Sequence, residues 1–382
     1  MIRICFAVTI YTTYRCFLKE FANYLHETGQ YDISLICNRE EGIREDCQDF
    51  VHLHEITMKR GISLTGFQSV LALKKIFRKE RFDIVQYSTP NASLYASLAA
   101  KWAGIPVRLY CQWGIRYMGF TGWKESLFRT LEKIACRNST FIEAESFNIL
   151  DFARSEKLYD AARSCVIGKG SACGVNLTKF DIGKKAVWRK EIREKFGIPP
   201  EEIVFAFAGR LTADKGVNEL LKAFLDLSGE RKDLTLIVCG GMDDRGSLDP
   251  ALLKKAQENP KVIFPGNVPD AERYYSAADV FVAPSYREGF GLVVIEAEAM
   301  GLPAIVSDVP GQTDAILPEK TGMLFQVRNA DSLREAMDRL AGDAGLREKL
   351  GRQAAEWVEK EFEQTKIFRQ LREHREELTR HA

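Results

Sequence analysis

The run Val280-Phe281-Val282-Ala283-Pro284-Ser285-Tyr286-Arg287-Glu288-Gly289-Phe290-Gly291-Leu292-Val293-Val294-Ile295-Glu296-Ala297 carries three structural instructions in one short span. Its first four residues form a continuous apolar stretch, the mark of a buried strand. Pro284 and Gly289 then break the chain into a loop. From Leu292 to Met300 the spacing predicts a helix, which Gly301-Leu302-Pro303 stops. A helix start presents free backbone N–H groups and the positive end of its dipole, which suits an anion. Glu288 stands at the mouth of the loop and Glu296 in the first turns of the helix. The expectation is a site for a phosphorylated ligand with hydroxyl groups on both sides of its phosphates. Gly289, Phe290 and Gly291 would donate backbone N–H groups to a diphosphate. The Glu296 carboxylate can accept from two vicinal ribose hydroxyls. Glu288, at the reacting end, would hold sugar hydroxyls or stabilise developing positive charge. A plainer reading also fits: both glutamates are helix-start carboxylates favoured by the dipole.

A second constellation lies upstream. Ile203 to Ala208 reads as a buried strand, followed by Gly209-Arg210-Leu211-Thr212-Ala213-Asp214-Lys215-Gly216 and then a helix. Gly209 allows close backbone approach, Arg210 can grip phosphate oxygens bidentately, and Lys215 adds a point charge. Alone, this too reads as a solvated turn with two surface cations. Jointly the two loops say more. Both follow strand ends of one domain, and strand ends of a parallel sheet converge on one crevice. Two cations and a helix N-terminus there could neutralise a leaving diphosphate without a metal.

Strands and helices alternate along the whole chain, which implies βαβ units and parallel sheets. The first series has strands at 2–10, 31–37, 50–56, 82–87, 107–111 and 139–144, with helices at 15–28, 67–80, 92–103 and 123–137. The pattern restarts after a glycine-rich turn ending at Phe180, so the boundary falls near 175–185. The expected domains are 1–180 and 181–360, with a final helical segment at 361–382. A length of 382 residues is enough for two α/β domains. Composition, 46% hydrophobic and 28% charged, is that of a soluble globular protein. No apolar run reaches membrane-span length and no signal-peptide pattern opens the sequence. The nine cysteines are odd in number and lack Cys-x-x-Cys spacing, which favours reduced thiols in a cytoplasmic protein. His52 and His54 would share a strand face without further ligands, so no metal site is expected. The net charge of +1 argues against nucleic-acid binding. Residues 1–180 nevertheless hold 24 basic against 18 acidic residues, which hints at an anionic partner for that half. The helix at 67–80 has a basic face and an apolar face. Those faces fit an interfacial helix on a membrane or lipid phosphate, but an ordinary helix packed on a sheet is the preferred reading.

From about 200 to 330 the sequence resembles the retaining GT-B glycosyltransferases of family 4, the group 1 glycosyl transferases of bacterial polysaccharide biosynthesis. The residues that carry the resemblance are Gly209-Arg210-Leu211 with Lys215-Gly216, Gly266-Asn267-Val268, Ala278 through Ser285, Glu288-Gly289-Phe290-Gly291 through Glu296-Ala297, Gly301-Leu302-Pro303 and Gly322. The turn from Gly174-Val175-Asn176 to Phe180 is similar as well, while the first half is similar only in layout. The resemblance implies two Rossmann-like doubly wound domains facing across a cleft, with the last helix returning to the first domain. It implies a nucleotide-diphosphate sugar, expected to be UDP-linked, as co-substrate, with no cofactor and no metal. Gly209, Arg210 and Lys215 would hold the donor diphosphate as it leaves, Glu288 would contact the donor sugar, and the chain at Gly289, Phe290, Gly291 and Leu292 would bind phosphate. Glu296 would bind the ribose and Val268 would lie near the base. Arg210, Lys215 and Glu288 are the expected catalytic residues.

Two positions depart from the family. The loop after the first strand, Thr9-Ile10-Tyr11-Thr12-Thr13-Tyr14, has none of the usual glycines. Where a His-Gly pair is usual, this chain has Trp113-Gly114. On the acceptor side the candidates are Trp113, stacking on a sugar, Arg116, meeting a phosphate, and Glu145 with its neighbours Glu143 and Ser146. Packing and surface charge explain these residues equally well. The acceptor expected is a hydroxyl of a glycan or of a polyprenyl-diphosphate-linked oligosaccharide, met in the cytoplasm or at the inner membrane face. Two rivals stay open on sequence grounds. One is a UDP-sugar epimerase on a similar fold; the other is an inactive scaffold of this fold that binds a partner.

Overall fold

The computed structural model describes residues 1–58, 65–242 and 248–382. They divide into two compact units: Met1–Cys173 with Thr365–Ala382, and Gly174–Gln364.

The first unit runs β1 (Ile2–Ala7), α1 (Tyr11–Phe17), α2 (Lys19–Glu27), β2 (Tyr31–Cys37), α3 (Ile43–Asp46), β3 (Val51–Glu55), α4 (Thr65–Glu80) and β4 (Ile84–Tyr87). It continues with α5 (Pro90–Ala103), β5 (Val107–Gln112), α6 (Gly122–Asn138), β6 (Phe141–Ala144), α7 (Phe147–Ser155) and β7 (Ser164–Cys165). Its strands pair in parallel in the order β3-β2-β1-β4-β5-β6-β7. Leu18, buried at φ −125°, splits the helix predicted over 15–28 into two. Ser146, read from sequence as a cleft residue, instead caps α7: its Oγ accepts from the Ile149 N–H at 3.3 Å.

The second unit runs α8 (Lys185–Phe196), β8 (Ile203–Ala208), α9 (Val217–Glu230), β9 (Leu234–Cys239), α10 (Pro250–Glu258), β10 (Val262–Gly266) and α11 (Ala271–Ala277). Then come β11 (Val280–Ala283), α12 (Leu292–Ala299), β12 (Ala304–Ser307), β13 (Gly322–Phe325), α13 (Ala330–Gly342) and α14 (Ala344–Phe362). The strand order is β10-β9-β8-β11-β12-β13, again parallel. A separate apolar cluster covers each face of the sheet. Tyr275, Ile295 and Val358 belong to one; Leu221, Phe224 and Leu333 belong to the other. Strands buried on both faces explain why Phe205, Ala206, Phe207 and Val280 to Ala283 are apolar without alternation. Each fully buried Leu, Ile or Phe stabilises the unit by about 1.5–3 kcal/mol.

The last helix, α15 (Gln364–Arg380), lies within the first unit from Thr365 onward. Phe368 packs on Phe21, with ring centroids 5.3 Å apart. Arg375 is 1% exposed and grips Glu143 of β6 with two nitrogens, at 2.6 and 2.8 Å. It also donates to Gln86 Oε1 at 2.9 Å. Glu143 is thus committed to an ion pair, at the wall of a small pocket that Glu145 also lines. Burial would raise its carboxyl, but the charges and hydrogen bonds of Arg375 and His374 outweigh that and hold it at about 2.

Candidate functional site

In the second sheet the chain direction across the strands reverses between β8 and β11. These are hydrogen-bonded neighbours, with Val280 opposite Phe205 and Phe281 opposite Ala206. At such a reversal a crevice opens beyond the carboxyl ends of the two strands, beside the loops that leave them. Both constellations read from the sequence are these loops. The far ends of the same strands are clasped: Asp279 accepts from the Val204 N–H at 2.8 Å and from Arg189 and Arg193 at 2.7 and 2.8 Å.

The loops touch. Lys215 forms an ion pair with Glu288, whose Oε1 also accepts from Ser285 Oγ at 2.8 Å. The Tyr286 N–H donates to the Asp214 carbonyl at 2.9 Å. Gly216, at φ +69°, lies so close to the second loop that a Cβ would stand 1.9 Å from the Pro284 carbonyl oxygen. Burial would raise the Asp214 carboxyl, yet the Thr212 hydrogen bond and the charges of Arg210, Arg287 and Lys215 hold it below its usual value. That shift records a concentration of positive charge. Helices α9 and α12 both start from a glycine, Gly216 and Gly291, that has no side chain to cap the first turn. Their initial N–H groups therefore add to the positive character of this end of the sheet.

Beside the loops is a cavity of about 720 Å³, lined by Gly209, Arg210, Gly240, Gly241, Asn267, Val268, Tyr275 and Glu296 among others. A Cβ on Gly240 would meet the Gly209 carbonyl oxygen at 1.8 Å, so that wall is built from bare backbone. Burial pushes the Glu296 carboxyl up to about 7, with Lys179 opposing and Glu272 adding to the shift. Gly209, Arg210, Val268 and Glu296 thus share one cavity. Lys215, Glu288 and Gly289 in the adjoining loops, and Leu292 at the start of α12, fall outside its lining. Phe290 turns its side chain into the core against Phe362, leaving only its backbone for a ligand.

Tyr275 escaped the sequence reading. It is 1% exposed, lines the cavity, and its hydroxyl has no hydrogen-bond partner among the described residues. The seven-residue α11 that carries it gives no periodic signal, and no motif marks it.

The acceptor-side candidates belong to the first unit. Trp113 packs against Phe17 with the rings tilted by 33° and centroids 5.0 Å apart, and with buried Glu145 it lines a small pocket that also contains Arg375. The Arg116 guanidinium lies over the Phe128 ring at 4.4 Å. The first sheet reverses between β1 and β4, where sequence reading nominated nothing. There the Thr9 and Thr89 hydroxyls are hydrogen-bonded at 2.9 Å. Thr89 holds a φ of +69° with ψ 140°, a region nearly confined to glycine. The buried hydroxyls of Ser88 and Ser93 flank it without hydrogen-bond partners among the described residues. The glycine-free loop after β1 is therefore tied down by a threonine pair. Among the described residues, no group of three or more His, Cys, Asp or Glu side chains is placed to hold a metal ion.

Comparison with known proteins places these features. The family described as glycosyl transferases group 1 matches residues 189–357, and the family described as glycosyl transferase 4-like matches residues 3–146. A capsular polysaccharide biosynthesis glycosyltransferase of Staphylococcus aureus, CapM, is 29% identical over 342 residues, spanning 89% of this chain and 88% of its own. The Escherichia coli UDP-Gal:alpha-D-GlcNAc-diphosphoundecaprenol alpha-1,3-galactosyltransferase is 27% identical over 338 residues, spanning 87% and 85%. Among solved structures, sucrose-phosphate synthase of Thermosynechococcus elongatus superposes with a TM-score of 0.80 at 20% identity over all of both chains. Anabaena HepE, solved with UDP-glucose, superposes with a TM-score of 0.78 at 17% identity over 98% and 99%.

Proposed function

We propose, from the premise that this chain belongs to the family 4 (group 1) glycosyltransferases and has their GT-B fold of two parallel-sheet domains, that its second unit holds a nucleotide-diphosphate sugar. The enzyme moves that sugar to a hydroxyl of a polyprenyl-diphosphate-linked or polysaccharide acceptor. The observation that carries this reading is the meeting of the loops after β8 and β11 at the reversal point of the second sheet. It gathers Lys215, Glu288, two uncapped helix starts and the cavity of Arg210 and Glu296. Galactosyl transfer from UDP to a diphosphoundecaprenol-linked sugar, named for the E. coli relative, supports a UDP-hexose or UDP-N-acetylhexosamine donor and a lipid-linked acceptor.

In this reading Glu296 accepts from both ribose hydroxyls and the base lies along Val268. Arg210, Lys215 and the first N–H groups of α12 hold the diphosphate. The bond from the anomeric carbon to the diphosphate oxygen breaks with oxocarbenium character, which Glu288 stabilises. The acceptor oxygen bonds to the same face of that carbon and its proton passes to the departing diphosphate, so configuration is retained. Two fixed cations and two helix termini supply the positive charge such a leaving group needs, and transfer is expected to proceed unchanged in EDTA. Peripheral association with the inner membrane face follows from a lipid-linked acceptor. The two Rossmann-like units are read as residues 1–180 and 181–360, with 361–382 returning to the first.

The test is a panel of nucleotide sugars screened by thermal shift, followed by mass spectrometry of products on lipid-linked acceptors. Stabilisation by one UDP-sugar and a mass gain of one sugar on the acceptor is the expected result. Isomerisation of the donor with no acceptor present would identify an epimerase instead.

A further inference from the structure

Helix α4 has two apolar faces. The inner one, Val70, Leu73 and Phe77, is buried in the core of the first unit, as an ordinary sheet-packed helix requires. The outer one was not expected. Phe67 is 59% exposed and Leu71 46%, one helical turn apart; Trp102, near the end of α5, is 43% exposed. They form one patch: the rings of Phe67 and Trp102 meet edge-on at 6.4 Å, and the Lys74 ammonium lies 5.7 Å from the Trp102 ring. Lys75, Arg78 and Lys101 are exposed on the same two helices. Neither residues 65–79 nor residues 90–103 contain an aspartate or glutamate. The next carboxylate along α4, Glu80, is already held by Arg3 and Lys79.

We propose that the Phe67-Leu71-Trp102 patch, ringed by Lys74, Lys75, Arg78 and Lys101, docks on the surface of an anionic lipid bilayer. Aromatic side chains prefer the boundary between headgroups and acyl chains, and lysine and arginine beside them are drawn to anionic headgroups. A second copy of this chain fits poorly. A symmetric contact would set these cations against their own copies, with no carboxylate on either helix face to pair them. The purpose of the surface rests on the lipid-linked acceptor proposed above, but its detection does not.

The test is flotation of the full chain with vesicles of phosphatidylcholine alone and of phosphatidylcholine with phosphatidylglycerol. The protein is expected to float with the anionic vesicles, not with the neutral ones, and to be released by high salt. Phe67→Ser/Leu71→Ser/Trp102→Ser and Lys74→Gln/Lys75→Gln/Arg78→Gln should each lower the partition coefficient by about tenfold or more. Three results overturn the proposal: a wild type that stays at the bottom of the gradient, equal flotation with both vesicle types, or a triple variant that floats like wild type. A concentration-dependent dimer abolished by the triple serine variant would give the patch to a second copy and overturn it too. Stabilisation by UDP serves as the folding control for the variants. If UDP stabilises neither wild type nor variants, the donor site is misread while the flotation result stands.

Discussion

At the scale of single residues, Glu296 makes the sharpest prediction. Its carboxyl titrates near 7, raised by burial from an ordinary value near 4.5. In the free protein the charged form is disfavoured, so this group lowers stability as pH rises through the interval from about 4.5 to 7, and no further above it. Donor binding has the opposite sign, because the carboxylate is the form that accepts from both ribose hydroxyls. Affinity for UDP, measured by calorimetry, is expected to rise from pH 6 to pH 8, with proton release on binding below pH 7. Glu296→Gln should abolish that pH dependence and weaken binding about tenfold to a hundredfold. The same variant should stabilise the unliganded protein at pH 8. A UDP affinity that is flat with pH in the wild type would contradict the assigned contact.

At the scale of elements, the gathering of the loops after β8 and β11 at one crevice was legible in the sequence, while the pairing of β8 with β11 at the reversal of the sheet was not. Two continuous apolar strands, each followed by a glycine-bearing loop and a helix, can converge only at one end of a parallel sheet. The loop-to-loop contact was not legible, because sequence spacing says nothing of distances between loops separated by some seventy residues. Gly216 is where that contact is most exacting. Gly216→Ala would set a Cβ 1.9 Å from the Pro284 oxygen at a φ of +69°. A loss of about 2 kcal/mol or more in stability is expected, with loss of UDP binding, both read by thermal shift with and without nucleotide. Asp279 shows the converse limit. It belongs to the run that carries the family resemblance, yet it clasps strand ends away from the cavity. The cavity's Tyr275 lay in a helix too short to leave a period, and α4 displayed its inner face but not its outer one. Pattern reports which side a helix buries, not which neighbour leaves part of the other side dry.

At the scale of the molecule, the two units are joined by more than one passage of the chain, since α15 belongs to the first unit after the second is complete. What holds it there is a buried ion pair, which sequence could not show: Arg375 and Glu143 are 232 residues apart. Arg375→Leu leaves the Glu143 carboxylate buried with the His374 ring and the Cys111 thiol as its remaining side-chain partners among the described residues. The first unit is expected to lose about 3–5 kcal/mol of stability, read by urea denaturation at pH 7. Adding Glu143→Leu should recover most of the loss; if the double variant is no better than the single one, packing and not charge is what Arg375 supplies. The claim on which the rest depends is that the loop after β8 holds the diphosphate of a nucleotide-sugar donor. The most direct measurement is the rate of labelled-sugar transfer from the UDP-sugar selected by the panel to its lipid-linked acceptor, by wild type and by Arg210→Ala. The exposed position of Arg210 predicts an intact fold, and its role predicts a fall in rate of about a hundredfold to a thousandfold. Transfer unchanged by Arg210→Ala would contradict the claim.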